Sequence, residues 1–251
     1  MTRIVEVVLP SFNEEVALGR LLPQFVELDR AVEEKIRVLV VDDGSTDRTA
    51  QVAESWDGSV PVSLIRLPQN QGYGAALDRG VTESARRLKE ADYIATMDAD
   101  DTHSPAYIAN MLRAMEEGKL DVMIASRYAE GGKEEGVSLS RRILSRGASW
   151  SYRLAFDLPN VTDYSCGYRL FKASLIQRSL SERGPLGLEA GFQATGELLL
   201  RLREQTSAIG EVPFELHYER KPTASKMRKF RTVVGTLRFL KEVRKQVRNL
   251  P

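Results

Sequence analysis

The segment Tyr93-Ile-Ala-Thr-Met-Asp98-Ala-Asp100-Asp101-Thr-His103 runs an apolar strand straight into three carboxylates, and a strand that ends in acid is a candidate site. Neighbouring carboxylates repel one another, so Asp98, Asp100 and Asp101 stay ionised together only in full solvation or beside a cation. Oxygen-only ligands suit Mg²⁺ or Mn²⁺, and a Mg²⁺ held by one or two carboxylates takes its other ligands from water and substrate phosphates. The alternative is a solvated turn in which Asp101 or Thr102 caps a helix beginning near Pro105.

The rest of the chain shows the same construction. Arg3 to Leu9 is a β-branched apolar run stopped by Pro10-Ser11-Phe12-Asn13. A helix follows from Glu14 to Val32, with apolar positions at Val16, Leu18, Leu21, Leu22, Phe25 and Leu28. Arg37 to Val41 is a second strand, and it too ends in acid, at Asp42-Asp43-Gly44-Ser45-Thr46-Asp47, before a helix of about ten residues. Strands are expected at Pro61 to Leu67, Asp92 to Met97 and Asp121 to Ser126, with helices from the Asn70 to Ala76 segment to about Leu88 and from Pro105 to Glu117. Alternating strands and helices predict a mostly parallel sheet covered by helices on both faces. In such sheets ligands bind beyond the carboxyl ends of the strands, so the Pro10, Asp42 and Asp98 loops are expected side by side.

The second half is less regular. Ala129 to Val137 reads as a mobile loop rich in Gly, Glu and Lys, Leu139 to Phe156 as helical, and Asp157 to Asp163 as irregular. Tyr164 to Phe171 reads as a strand or extended edge, Gly191 to Leu202 as helical and Ile209 to Tyr218 as extended. Lys226 to Val247 reads as an amphipathic helix with Val233, Leu237, Leu240, Val243 and Val247 on its apolar stripe. Residues 226–251 carry nine Lys or Arg against one acid, a net +8, which leaves −7 on the preceding residues within a total of +1. A basic amphipathic helix can lie in a membrane interface, and an ordinary packed helix with a solvated basic face is the other reading.

Several classes are set aside. No Gly-Lys-Ser/Thr follows the glycines at Gly72 and Gly74, so this is not a Walker loop, and no GxGxxG ends the first strand. The single Cys166 excludes an internal disulfide framework and is read as inert, and nothing reads as a zinc site. No signal-peptide pattern precedes the first strand and no apolar run reaches the roughly 18 residues needed to span a bilayer, which predicts a soluble or peripheral protein. The body is acidic and no recognition motif accompanies the basic tail, so nucleic acid is not an expected partner.

The order of motifs resembles a family. VVLPSFNEE, VLVVDDGSTDRT, NQGYGAAL, MDADDTHSP and ASRY together are similar to the inverting glycosyltransferase family 2, whose GT-A fold is a nucleotide-sugar-binding, Rossmann-like α/β architecture. SRRILSRGAS, VTDYSCGYRLF, GFQATGELLLRL and VPFELHYERKPTASKM narrow the resemblance to polyprenyl-phosphate glycosyltransferases, over roughly residues 3 to 230. The resemblance implies a catalytic domain over 1–225 and the basic helix over 226–251. Pro10, Phe12 and Glu14 would hold base and ribose, with Asp43 and less surely Asp42 on the base or ribose edge. Asp98, Ala99 and Asp100 would form the donor and metal segment, with Asp98 and Asp100 as the metal ligands. Arg127 would face the diphosphate or sugar; Arg141, Arg220, Ser225 and Lys226 would lie at the acceptor phosphate, and Asp163 and Glu197 match recurrent acids. Asp100, Arg127, Arg220 and Lys226 are the expected catalytic set.

There are departures: Asp101-Thr102 stands where Leu-Gln is usual, Tyr164 and Cys166 where Pro and Ser are, and Thr223-Ala224 where Gly-Glu is. Thr102 is a poorer metal ligand than Gln. The implied reaction is metal-dependent hexosyl transfer to a polyprenyl phosphate, from GDP-mannose first and UDP-glucose second. It would take place at the cytoplasmic face of a membrane, with a membrane-embedded protein partner as an option. The rival is a hydroxyl acceptor with Asp163, Glu189 or Glu197 as base. A lipid phosphate needs no general base, and the chain has only two histidines, His103 and His217, of which His103 is read as loop packing. A non-catalytic nucleotide-sugar-binding module is the remaining alternative.

Overall fold

The structure, a computed structural model, describes residues 2–137, 142, 145–147, 149, 152, 153, 158, 160–188, 191 and 193–221. The helical stretch expected at Leu139 to Phe156 is described only in part, and its described residues from Arg142 to Arg153 are helical. Arg141, Glu189, Ser225, Lys226 and the whole basic tail lie outside the described residues.

Strands β1 (Ile4–Ser11), β2 (Lys35–Asp42), β3 (Val62–Arg66), β4 (Tyr93–Thr96), β5 (Val122–Ser126), β7 (Arg169–Lys172) and β8 (Ile209–Pro213) form one sheet in the order β3-β2-β1-β4-β7-β5-β8. All neighbours pair in parallel except β7, which lies antiparallel between β4 and β5. Central strands covered on both faces must be apolar along their whole length. Val5 to Leu9, Val38 to Val41 and Val122 to Ala125 accordingly have essentially no exposed surface except for the charged Glu6, which is also buried. Helices α1 (Glu15–Ala31), α2 (Thr49–Glu54) and α4 (Tyr107–Glu117) form one packed group. The other group comprises α3 (Tyr73–Arg87), α5 (Ala173–Arg183) and α6 (Ala194–Arg203). A Cβ on Gly80 would come within 2.3 Å of Val8 and 2.9 Å of Val41, so a glycine is what lets α3 lie flush on the sheet.

Four details depart from the sequence reading. Val16 stands 46% exposed although it falls near the apolar stripe of α1, whose buried face is Ala17, Leu18, Leu21, Leu22, Phe25 and Leu28. The helix after Asp47 is only six residues long. The segment read as a loop contains a short strand, β6 (Lys133–Glu135), paired in parallel with β9 (Glu215–His217). Helix α5 is not among the elements the sequence pattern predicts. It buries Ala173, Leu175, Ile176 and Ser179, and Arg201 of α6 donates to the carbonyls of Ser179 and Gly184 at its end. Lysine, arginine and histidine near a helix C-terminus satisfy carbonyls that have no partner within the helix.

Candidate active site

The strand order turns back between β1 and β4, and the loops leaving β1, β2 and β4 meet there as expected of an open α/β sheet. They are sewn together by backbone and short side chains. Asp43 N–H donates to the Ser11 carbonyl (2.8 Å), Asn13 N–H to Ser45 Oγ (2.9 Å), Glu14 N–H to Thr49 Oγ1 (2.8 Å), and Met97 N–H to the Val8 carbonyl (3.2 Å). Gly44 makes the turn after β2 with φ +69°, and its missing Cβ would lie 2.6 Å from the Gln69 backbone.

The two acids after β2 divide their work. The Asp43 carboxylate accepts the N–H groups of Gln71 (2.7 Å) and Gly72 (2.8 Å), so it fixes the loop that opens α3. Burial raises its pKa despite those two bonds. Asp42, expected on the base or ribose edge, has no exposed surface. One oxygen accepts Ser45 N–H (2.9 Å) and the other faces Arg66 Nε at 3.4 Å. In this structure Asp42 shapes the turn and offers no surface to a ligand. Pro10 and Glu14 are buried and Phe12 half-buried at the same edge.

After β4 the three carboxylates separate. Asp98 is half-buried, and the Ala99 methyl is in the core, which leaves that residue only its backbone to present. Asp101 takes φ +62° and turns toward α1, where Gln24 Nε2 donates to it at 2.9 Å. Asp100 Oδ1 accepts the Thr102 amide (3.2 Å) and hydroxyl (2.6 Å), so Thr102 orients the carboxylate. Asp100 Oδ2 is paired with the ammonium of Lys221, a residue that the sequence reading passed over between Arg220 and Lys226. Burial alone would raise the Asp100 pKa and lower that of Lys221; their mutual attraction outweighs it and moves each the other way. Arg220, in the 3-10 turn Tyr218–Arg220, is exposed.

His103 packs as expected. Its ring stacks on Tyr168 (5.2 Å) and meets the edge of Phe214 (5.4 Å), while Nδ1 accepts the Asp98 N–H at 3.3 Å. Burial lowers its pKa, which keeps the imidazole neutral. Cys166 is buried and its thiol pushed up to about 12, too high for reactivity near neutral pH.

Arg127 is not displayed as an open cation. Its guanidinium makes a fork with Asp163 (2.7 and 2.8 Å), donates to Ser165 (2.8 Å) and lies 3.5 Å from Glu134. Asp163 has no exposed surface and is held below its ordinary pKa by Arg127 against the opposing effect of burial. Beside this pair opens a cavity of about 400 Å³, lined in part by Arg127, Tyr128, Arg146, Ser149, Arg153 and Thr162. Glu197 sits half-buried in the first turn of α6.

Asp98 and Asp100 are the pair suited to a divalent cation: Asp98 is half-buried at the strand end, and the buried Asp100 already draws a positive charge. Among the described residues Glu135, His217 and Glu219 also bring ligand atoms within 4.8 Å of one another, at the surface beside β6 and β9.

A mostly parallel sheet that reverses its order beside carboxylate-bearing loops is an open α/β fold of the nucleotide-binding kind, and its family match and structural likenesses make it GT-A-like. The chain belongs to glycosyl transferase family 2, whose family description matches residues 6–183. It is 31% identical over 212 residues to a dolichol-phosphate mannosyltransferase of Pyrococcus furiosus, a match covering 84% of this chain and 55% of that protein. The chain thus spans about half the length of that relative. An uncharacterised protein of Methanocaldococcus jannaschii is 31% identical over 177 residues, covering 68% of this chain and 72% of that one. Among solved structures, glucosyl-3-phosphoglycerate synthase of Mycobacterium tuberculosis with Mn²⁺, UDP and glucosyl-3-phosphoglycerate superposes with a TM-score of 0.64 at 20% identity. That match covers 95% of this chain and 80% of that one. The same enzyme with Mg²⁺ and UDP gives 0.63 at 20% identity, covering 95% and 79%.

Proposed function

We propose that this glycosyltransferase moves a hexose from a nucleotide diphosphate-sugar to a polyprenyl phosphate with inversion at the anomeric carbon. GDP-mannose is the first donor to test and UDP-glucose the second. The observation that carries the donor half is the Asp98 and Asp100 pair beyond β4, where Thr102 orients Asp100 and a cation already sits on it. A divalent ion, Mg²⁺ or Mn²⁺, bound there would offset the charge that grows on the leaving diphosphate. Both ions accompany UDP in the mycobacterial structures of the same fold.

The acceptor half rests on what the acids are doing. A hydroxyl acceptor needs a poised base. Asp163, the first candidate, is spent on Arg127 and its pKa is lowered, away from the range in which a base works. A phosphate monoester is ionised near neutrality and needs none. The cavity beside Arg127 adds Arg146 and Arg153, charges suited to orienting such an anion in line with the sugar. The likeness to a dolichol-phosphate mannosyltransferase supports the same acceptor class. The proposal places the enzyme at the cytoplasmic membrane surface, where a lipid phosphate is met, held by the basic tail or by a membrane-embedded partner; no helix among the described residues is long and apolar enough to cross a membrane.

The test is transfer of radiolabelled sugar from each donor into an organic-extractable lipid, with Mg²⁺ or Mn²⁺, in wild type and Asp100→Ala. Label in the lipid from one donor, reduced by about 10²-fold or more in the variant, is expected. Metal-dependent donor turnover with label only in water-soluble product would replace the lipid phosphate by a soluble acceptor.

A further inference from the structure

Asp100 has two oxygens and both are occupied. Oδ1 takes two bonds from Thr102, and Oδ2 pairs with Lys221. The side chains of the pair are 10% and 11% exposed, so the contact is largely removed from water. Asp98 and Glu14 add to the negative potential around the ammonium. A divalent ion bonded to Oδ2 would leave the Lys221 ammonium, if it stayed on the same oxygen, only about 4 Å from the ion. Two cations at that separation, in a partly buried site, repel strongly.

We propose that Lys221 is a resident counter-cation of the acid loop, and that the divalent ion and the Lys221 ammonium hold Asp100 in turn. The proposal rests on the reading that Asp98 and Asp100 are the metal ligands. Its geometric basis is the path of the chain: His217 N–H donates to the Thr102 carbonyl at 3.1 Å, which anchors β9 to the acid loop four residues before Lys221. The ammonium is therefore tethered at the loop and can leave Asp100 without leaving the crevice. Two consequences follow. With no metal bound, three neighbouring carboxylates, at positions 14, 98 and 100, keep a compensating charge. With metal bound, Lys221 is released at the crevice mouth, where a diphosphate would accept it.

Mn²⁺ binding to the nucleotide-free protein, followed by electron paramagnetic resonance, tests the exchange. Lys221→Met is expected to bind Mn²⁺ at least about tenfold more tightly than wild type, because a competing cation is gone, and Lys221→Arg to stay within about threefold. A second readout needs no substitution. Acetylation of lysines by an N-hydroxysuccinimide ester, mapped by peptide mass spectrometry, should find Lys221 protected in chelator and reactive with Mn²⁺. Asp100→Asn distinguishes this site from metal at the Glu135, His217 and Glu219 cluster, and should leave Lys221 reactive throughout. Mn²⁺ binding lost in Asp100→Asn but unchanged or weaker in Lys221→Met, with Lys221 protected at all metal concentrations, would overturn the exchange and leave the metal site standing. Mn²⁺ binding unaffected by Asp100→Asn would overturn both.

Discussion

The half of the molecule built from β1 to β4 and the half that follows it are held together by different means. In the first, parallel apolar strands bury both faces, and the loops at their carboxyl ends are joined by backbone groups and short hydroxyl or carboxylate side chains. In the second, an antiparallel strand is wedged into the sheet, and long charged side chains bind segments distant in sequence. Arg127 grips Asp163, and the fully buried Arg169 donates to the carbonyls of Tyr164 (2.7 Å) and Thr195. The first half has a rigid crevice that presents a few groups. The second has a charge framework whose partners shape the cavity beside Arg127.

That contrast breaks most visibly at Asp163. Asparagine there would leave Arg127 buried with only Ser165 and the more distant Glu134, and removing one member of a buried pair typically destabilises by about 3–5 kcal/mol. Chemical denaturation should show a loss of that size. The pH dependence has a definite sign. The Asp163 carboxyl is held below its ordinary value of about 3.9, so its contribution is complete above that pH and disappears as pH falls through the lower folded value. Wild type should show an acid limb in Tm against pH that is shallower in Asp163→Asn. Equal limbs would mean that Glu134 or solvent compensates, and that the second half is less dependent on this pair than its geometry implies.

For the first half the corresponding test is steric. Gly80→Ala gains helix propensity but places a methyl against Val8 and Val41, and overpacking of this kind costs roughly 1–3 kcal/mol. Denaturation should report a net loss, with donor binding weakened because α3 carries the loop that Asp43 holds. A neutral result would show that helix and sheet can separate locally, and that the crevice is less rigid than described.

A smaller effect is expected at the cavity that the proposal gives to the acceptor. Arg146→Glu and Arg153→Glu reverse charge on the cavity wall without disturbing the Arg127 fork. Each is expected to raise KM for polyprenyl phosphate by about tenfold, or about 1.4 kcal/mol, with donor KM unchanged. A matching rise in donor KM would move the cavity to the donor side.

The two halves also differ in how much of their structure is legible in the sequence. Strands such as Val5 to Leu9 and the acidic ends at Asp42 and Asp98 are local signals, since burial on both faces demands an unbroken apolar run and a ligand crevice demands polar termini. What each carboxylate does there is not local: Asp42 turns inward to Ser45, and Asp101 turns away to Gln24. Lys221 was hidden for the same reason, because nothing in its neighbours announces a partner 121 positions earlier. Arg127 was visible as a charge near the site, whereas its pairing with Asp163 needed the fold. Helix α5 has a short apolar face and depends on Arg201 for its end, so its local periodicity is weak.

Val16 gives the smallest effect and the sharpest control on that lesson. It falls beside the apolar positions of α1, yet it is 46% exposed while Ala17 and Leu18 are buried. Helical position sets which side chain meets the sheet, and Val16 lies at the margin of the face that does. Val16→Lys should therefore change stability by no more than about 0.5 kcal/mol, as surface substitutions do, with transfer activity intact. A loss above about 2 kcal/mol would mean that the position is covered in the working enzyme. The apolar stripe read from the sequence would then describe a contact surface of α1 as well as its core face.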